Sequence, residues 1–406
     1  MLLLKLAFRN IFRQKRRSLL TALSMAGGYL LCALSFSTTE GSYSNVINLF
    51  TLDHTGHVQI HKDNYLQQPK TFTLIDDPEL ISKVMDAHKE IVSHTLRVYA
   101  PVLAYSDTGN SPARLIGVDV DREKETSRLF EKVRSGTYLS EQVDENGYYP
   151  ALIGKGISNS LKSSLGDELV LISQGADGSI ANDIFIISGI VGNKDSLDKN
   201  LIYIPLIAAQ NFLSMPNRVH EIAILLDSPN NARDVSVDIQ KIFPTLTVSP
   251  WQVVEETFYN SMQSDKAGNR VSLLIVIFIV FIGVLNTVLM SVLERTREFG
   301  VIKAIGSRPL IVAKLITLET TILAMMSSSV GFIFSVPIIA WFAYVGIELK
   351  EPIDMGGVLF SRMTGELSLY VFAMPMIIII SFAFVISIFP AIKAARIAPT
   401  EAMRSH

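Results

Sequence analysis

The segment Val271 to Leu293, VSLLIVIFIVFIGVLNTVLMSVL, contains 23 consecutive residues without a charged side chain. An α-helix of about 20 apolar residues is long enough to cross the hydrocarbon core of a bilayer, so this segment predicts a transmembrane helix. Three further apolar segments meet the same length requirement, namely 19–39, 310–347 and 367–389. The sequence therefore predicts a membrane protein with four transmembrane α-helices.

Charge is distributed unevenly along the chain. Residues 41–268 hold 29 acidic and 19 basic residues, a net charge of −10, whereas the other 178 residues have a net charge of +8. The acidic block argues against nucleic acid as a partner. With 228 residues it is long enough to fold around its own hydrophobic core. The single cysteine, Cys32, excludes an intrachain disulfide.

Within this block the pattern changes to short β-rich runs between turn signals, interspersed with helical stretches. The predicted strands are 56–61, 96–105, 113–120, 168–173, 184–192, 201–205 and 220–226, and the predicted helices are 78–92, 156–165, 206–214 and 230–243. The acids of 119–125 indicate the solvated start of a helix. Residues 41–50 and 251–268 are candidates for helical continuations of the first two spans. The prediction is one large mixed α+β domain on four spans.

Basic residues near the span ends predict the orientation, because such flanks remain in the cytoplasm. Fourteen of them fall on one side, so both termini are predicted in the cytoplasm and the acidic block outside the membrane. The predicted segments are an amphipathic cytoplasmic helix 1–17, TM1 18–40, the outer domain 41–268, TM2 269–293, a cytoplasmic loop 294–309, TM3 310–345, a short outer loop 346–366, TM4 367–389 and a cytoplasmic tail 390–406.

The N-terminal segment 2–17 repeats a basic residue every four positions, at Lys5, Arg9 and Arg13, beside large apolar side chains. This spacing is typical of an amphipathic helix that lies on the inner membrane face. The alternative is a basic flank that only sets the topology.

No motif for nucleotide chemistry or hydrolysis occurs in the chain. The sequence G-x-x-x-x-G-K-[ST], which cradles phosphates, is absent, and so are G-x-S-x-G and H-E-x-x-H. His57 and His61 would stand about 13 Å apart along one strand, too far for a single metal ion. We therefore expect no catalytic, cofactor or metal site, and we expect ATP and Mg²⁺ to bind a separate ATPase chain.

The loop between the second and third spans, 294–309, predicts a short cytoplasmic helix. Phe299, Ile302 and Ile305 fall near one face, Gly306 suits a helix C-terminus, and Pro309 suits the start of the next helix. A short helix with an apolar stripe docks readily in a groove of a partner. The alternative is a helix covered only by lipid headgroups.

Glu319 lies within the third apolar segment, two or three turns beyond this loop. A charge within a membrane is costly and is usually functional or paired. The alternative is a position near the headgroups, where Glu319 pairs with a base.

The loop ERTREFGVIKAIGS, 294–307, resembles the coupling-helix signature of ABC-transporter permeases of the MacB/FtsX type, roughly E-R-x-R-E-I-G-x-L-R-A-L-G-A. The departures are conservative. The tail PAIKAARIAPTEAMR, 390–404, is similar to the closing motif of the family, and Glu319 matches an acidic residue that the family often carries early in span three. The layout is closest to lipoprotein-releasing LolC/LolE-type subunits.

This resemblance implies a permease of the bacterial inner membrane, with the domain 41–268 and the loop 346–366 in the periplasm. It implies that the permease works by mechanotransmission in pairs, as a homodimer or heterodimer, with two copies of an ABC ATPase. The residues it implies for ATPase coupling are Arg295, Arg297, Glu298, Phe299, Gly300, Ile302, Lys303, Ile305 and Gly306. The implied cargo is a lipoprotein, lipid or other amphiphile, passed to a periplasmic carrier or adaptor. The alternative is a regulatory scaffold that controls a periplasmic wall hydrolase.

Overall fold

The computed structural model describes residues 2–13, 15–193, 196–355 and 358–398. The chain forms two compact units. The described residues of 1–45, 262–350 and 361–406 form the helical unit, and those of 46–261 and 351–360 form the mixed unit. Residues 399–406 of the predicted tail, which contain part of its family motif, lie outside the described residues.

Thirteen α-helices occur in the part of the chain that is described. In order they are α1 Leu2–Arg13, α2 Lys15–Phe50, α3 Pro78–Asp86, α4 Val120–Thr126, α5 Leu129–Lys132, α6 Lys155–Leu161, α7 Leu206–Phe212, α8 Ala232–Ile242, α9 Trp251–Val254, α10 Glu256–Glu294, α11 Thr296–Ala304, α12 Pro309–Tyr344 and α13 Leu369–Arg396.

The strands, in chain order, are β1 Val58–Lys62, β2 Ile75–Asp76, β3 Ile91–Ser106, β4 Gly109–Val118, β5 Val133–Gly136, β6 Tyr149–Gly154, β7 Glu168–Gln174, β8 Ile180–Val191, β9 Leu201–Pro205, β10 Arg218–Val219, β11 Glu221–Leu226, β12 Leu246–Pro250, β13 Ile347–Met355 and β14 Val358–Met363. β13 and β14 pair as a hairpin, within the segment predicted as the short loop 346–366.

The helical unit contains the membrane-spanning part of the chain. Four of the described helices, α2, α10, α12 and α13, are long and apolar enough to cross a bilayer. Buried side chains of these four and of α11 form one apolar cluster, which includes Met25, Val288, Phe299, Val312 and Ala391. At Gly331 a Cβ atom would come within 2.8 Å of the Tyr29 ring, so α12 approaches α2 as closely as only glycine allows.

The mixed unit is built on a ten-stranded sheet in the order β12-β1-β11-β3-β4-β9-β6-β8-β5, with β7 pairing β3 and β8. The pairs β4–β9 and β6–β8 are parallel, and the other pairs of this sheet are antiparallel. This unit and the four span-length helices confirm the predicted fold class, a membrane protein with one large α+β domain.

Two local predictions in the mixed unit were wrong. The helix predicted over 78–92 ends at Asp86, because Ile91 already pairs with Leu226 in the sheet. The helix expected at 119–125 forms as α4, with the Asp119 side chain accepting from the Arg122 amide, but it is not solvated throughout. Glu123 is buried and receives two hydrogen bonds from Arg97, at 2.7 and 3.0 Å.

Candidate coupling site

α11 is set off from both neighbouring helices by breaks at its ends. α10 stops at Glu294, and α11 ends before Gly306, whose φ of +100° is a left-handed conformation that favours glycine. The Gly306 amide donates to the carbonyl of Lys303 at 3.0 Å, which satisfies one of the free carbonyls at the helix end. Pro309 then occupies the first turn of α12, as predicted. The result is a nine-residue helix between two span-length helices.

The buried face of α11 is not the one that the sequence suggested. Phe299 is only 2% exposed and belongs to the apolar cluster of the helical unit, and Ile302 packs against that cluster. Phe299, which was predicted to seat in a groove of the partner with Ile302 and Ile305, therefore packs in its own chain, while the contact of the other two with a partner stays a prediction. Burying a Phe side chain stabilises by roughly 1.5–3 kcal/mol, so the chain uses Phe299 to hold α11 in place. Ile305 alone of the three is exposed, at 81%.

A different set of side chains forms the exposed face of α11. The exposed residues are Arg297, Val301, Ala304 and Ile305, and they follow the i, i+4, i+7, i+8 spacing of a single helix face. We call these four residues the α11 face. It combines one cation with three apolar side chains. This composition is suited to an apolar groove of a partner with acidic residues at its rim.

Behind this face, Arg295 joins α11 to α12. Its guanidinium donates to both carboxylate oxygens of Glu319, at 2.7 and 3.3 Å, and to Oε2 of Glu298 at 3.0 Å. Burial by itself lowers the pKa of Arg295, but the hydrogen bonds and charges of Glu319 and Glu298 raise it above its usual value. Arg295, predicted at the rim of the docking surface, is instead buried and holds Glu319.

The N-terminal helix contributes partners that the sequence reasoning missed. Asn10 donates to Glu319 Oε1 at 2.6 Å, and Arg13 donates to Glu298. Arg17, at the start of α2, pairs with Glu294 at 2.6 Å. The only signal for these contacts was that Asn10 interrupts an otherwise apolar or basic segment. α1 is therefore attached to α11 and α12 by polar contacts, with Ala7 and Ile11 buried beside them.

Lys303 also contacts its own chain. Its ammonium donates to the carbonyl of Ala395 at 2.8 Å and to that of Ile397, at the end of α13. A cation placed at a helix C-terminus interacts favourably with the free carbonyls there. The expected role of Lys303 in orienting a partner stays a prediction beside this capping contact. Gly300 is buried against the core of the helical unit.

An open pocket of about 480 Å³ lies beside the α11 face, where α1, α11 and α12 meet. Its walls combine three arginines with apolar side chains, and the lining residues are Leu6, Asn10, Arg13, Arg295, Arg297, Glu298, Val301, Ile302 and Leu315. The pocket and the α11 face together offer a continuous surface with a charged border.

Comparison with known proteins covers both units. Residues 18–242 match the MacB-like periplasmic core domain, and residues 270–399 match the FtsX-like permease C-terminal domain. A lipoprotein-releasing system transmembrane protein LolC from Xylella fastidiosa is 22% identical over 73% of this chain and 73% of its own length. A macrolide export ATP-binding/permease protein MacB from Campylobacter jejuni is 26% identical over 98% of this chain and 60% of its own length.

Among solved structures, the periplasmic region of MacB from Actinobacillus actinomycetemcomitans is 11% identical, with a TM-score of 0.38, and covers 52% of this chain and 96% of its own.

Proposed function

Because this chain belongs to the MacB/FtsX family of ABC-transporter permeases, we propose that its α11 face docks on a separate ATPase subunit and transmits nucleotide-driven motion across the membrane. The observation that supports this most strongly is the construction of α11 itself. Phe299 and the Arg295–Glu319 pair hold the helix firmly to its own chain, while the α11 face remains free. A helix held in this way moves together with the bundle when a partner pushes on it.

The lengths of two helices support the relay. α2 and α10 contain 36 and 39 residues, which corresponds to about 54 and 58 Å at 1.5 Å per residue. Each is much longer than the ~30 Å of a bilayer core. An unbroken helix transmits a displacement at one end to the other, so these two helices are suited to carry motion from the cytoplasmic side to the extracytoplasmic domain.

For the cargo, we propose a lipoprotein, lipid or other amphiphile that is extracted or exported at the periplasmic side. The named activities of the relatives, lipoprotein release and macrolide export, both concern molecules with large apolar parts. On this proposal two copies of this chain, or one copy and a homologous permease, work with two ATPase copies. A periplasmic carrier or adaptor receives the cargo, both termini are cytoplasmic, and the chain itself hydrolyses no ATP.

The test is co-purification of the ATPase with an Ile305→Asp variant. An unpaired amide or hydroxyl in an apolar contact costs roughly 1–3 kcal/mol and a carboxylate costs more, so we expect retention of the ATPase to fall at least tenfold. The matched control is Ile180→Asp, since Ile180 is 85% exposed but lies in the mixed unit. The docking proposal fails if both variants retain the ATPase equally.

A further inference from the structure

The mixed unit contains an open cleft of about 640 Å³ beside the middle of its sheet. The cleft lies along β3 and β4 and the start of β9, and the segment 65–71 forms its other wall. Its lining residues are Tyr65, Pro69, Lys70, Thr71, Tyr99, Ala100, Pro101, Pro112, Ala113, Arg114, Asn200 and Leu201. Its volume is within the range of about 300–1,000 Å³ that is usual for small-molecule sites.

The charge of the cleft is opposite to that of its surroundings. Residues 41–268 have a net charge of −10, yet none of the lining residues is acidic and two of them, Lys70 and Arg114, are cations. Neither forms an ion pair with a residue that the structure describes. The Arg114 guanidinium instead stacks 4.6 Å from the centre of the Tyr99 ring. Two such cations in an acidic domain favour an anionic ligand.

The aromatic wall of the cleft is held rigidly from behind. The Tyr99 hydroxyl donates to Glu221 at 2.9 Å, and Arg97 donates to the same oxygen at 3.2 Å. Burial alone raises the pKa of Glu221, but a hydrogen bond with His61 and the charge of Arg97 lower it, so Glu221 stays ionised. The Tyr65 ring stacks on His61 at 5.3 Å. Side chains locked by such contacts form a preorganised surface, which lowers the entropic cost of binding.

The backbone beside the cleft is poorly suited to a peptide. An extended peptide binds a sheet by pairing with free main-chain groups. Here the Tyr99 amide already donates to His220 Nδ1 at 3.1 Å, and the Pro101 carbonyl accepts from Ser173 at 2.6 Å. Pro101 and Pro112 have no amide hydrogen to offer. The wall therefore presents apolar side-chain surface with cations at its edge.

We propose that this cleft binds an amphiphile with an anionic head, the head between Lys70 and Arg114 and the apolar body against Pro101, Pro112 and Leu201. This proposal rests on the proposed function in one respect, the chemical class of the cargo. No step of binding at the cleft involves the ATPase or α11.

The experiment is photolabelling of the full chain in phosphatidylcholine nanodiscs with a water-soluble octanoate that carries a diazirine. The labelled peptides are mapped by mass spectrometry. An octanol with the same diazirine is the neutral comparator. We expect octanoate to label 65–71, 99–101 and 112–114 about fivefold more than octanol. This is the preference expected if the carboxylate forms partly exposed ion pairs with two cations.

A double variant, Lys70→Gln with Arg114→Gln, should lose this preference about fivefold, whereas the matched exposed pair Lys83→Gln with Lys89→Gln should retain it. Equal labelling by octanol and octanoate would overturn the proposal, and that comparison needs no variant. Hexaglutamate and unlabelled octanoate serve as competitors. If hexaglutamate abolishes the labelling at a concentration at which unlabelled octanoate does not, the cleft is assigned to an acidic peptide instead. If the cleft proposal is wrong, labelling fails but the ATPase still co-purifies. If the docking proposal is wrong, the ATPase is not retained but labelling still occurs.

Discussion

Arg295 and Glu319 lie 24 positions apart in sequence, yet two nitrogens of the guanidinium donate to the two oxygens of the carboxylate, at 2.7 and 3.3 Å. Their side chains are only 9% and 14% exposed. Bidentate pairs of this kind fix orientation as well as distance. The pair joins the last residue before α11 to a residue nearly three turns into α12, so it sets the angle at which α11 is presented.

We expect Glu319→Ala to lower ATP-dependent transport at least tenfold while the ATPase still co-purifies. The change leaves Arg295 buried without its main partner, and breaking a buried pair costs about 3–5 kcal/mol, a value that the partial exposure here reduces. Glu319→Gln keeps a hydrogen bond and should be intermediate. The double variant Arg295→Met with Glu319→Gln removes the lone charge and should recover part of the stability. Full activity of Glu319→Ala would show that the pair has no mechanical role.

The fourteen basic residues on one side of the predicted spans predict the orientation of the chain in the membrane. We expect reporters fused near residue 303 or after residue 406 to show a cytoplasmic location, and a reporter inserted near residue 150 to show a periplasmic one. A periplasmic signal at residue 303 would contradict the four-span topology and would place α11 out of reach of an ATPase.

The mixed unit should lose stability as the pH falls from 7.5 to 5. Burial lowers the pKa of His57 and of His220 to about 4, below the ~6.5 of an unfolded chain. Between these values the unfolded state binds more protons, so the free energy of unfolding decreases as the pH falls, by about 2 kcal/mol per histidine by pH 5. The measurement is the melting temperature of the full chain across this range.

His220→Gln is the variant that tests this assignment. His220 Nδ1 accepts from the Tyr99 amide and Nε2 lies 3.1 Å from the Thr71 carbonyl, so protonation of Nδ1 would place two donors against each other. Gln does not titrate, and the variant should lose part of the pH dependence even if its melting temperature at pH 7.5 is lower. An unchanged slope would mean that other groups control acid stability.

Much of the fold could be predicted from the sequence, because long apolar segments and short β-rich runs are both local patterns. The 23 uncharged residues of α10 and the short β-rich runs of strands such as β9 and β11 are recognised from neighbours a few positions away. Strand β6 and the hairpin β13–β14 were missed because turn-rich or charged flanks hide them. The burial of Glu123 was missed because its partner, Arg97, comes from another element.

The candidate site was located by sequence, but its exposed face was not. An apolar helix residue faces either its own core or a partner, and periodicity alone does not distinguish the two. Phe299 faces the core because α10, α12 and α13 surround it, and that arrangement follows from packing between distant segments. Arg295 could be linked to Glu319 only once α11 and α12 were placed beside each other.

The central claim is that the α11 face contacts the ATPase, and cysteine crosslinking tests it most directly. In a Cys32→Ser background, single cysteines at positions 297 to 305 are crosslinked to the assembled ATPase. We predict strong crosslinks from positions 297, 301, 304 and 305 and weak ones from 299 and 300, because the latter two positions are buried against the chain itself. Crosslinks that peak at 299 and 300, or that are absent from 301 and 305, would contradict the account.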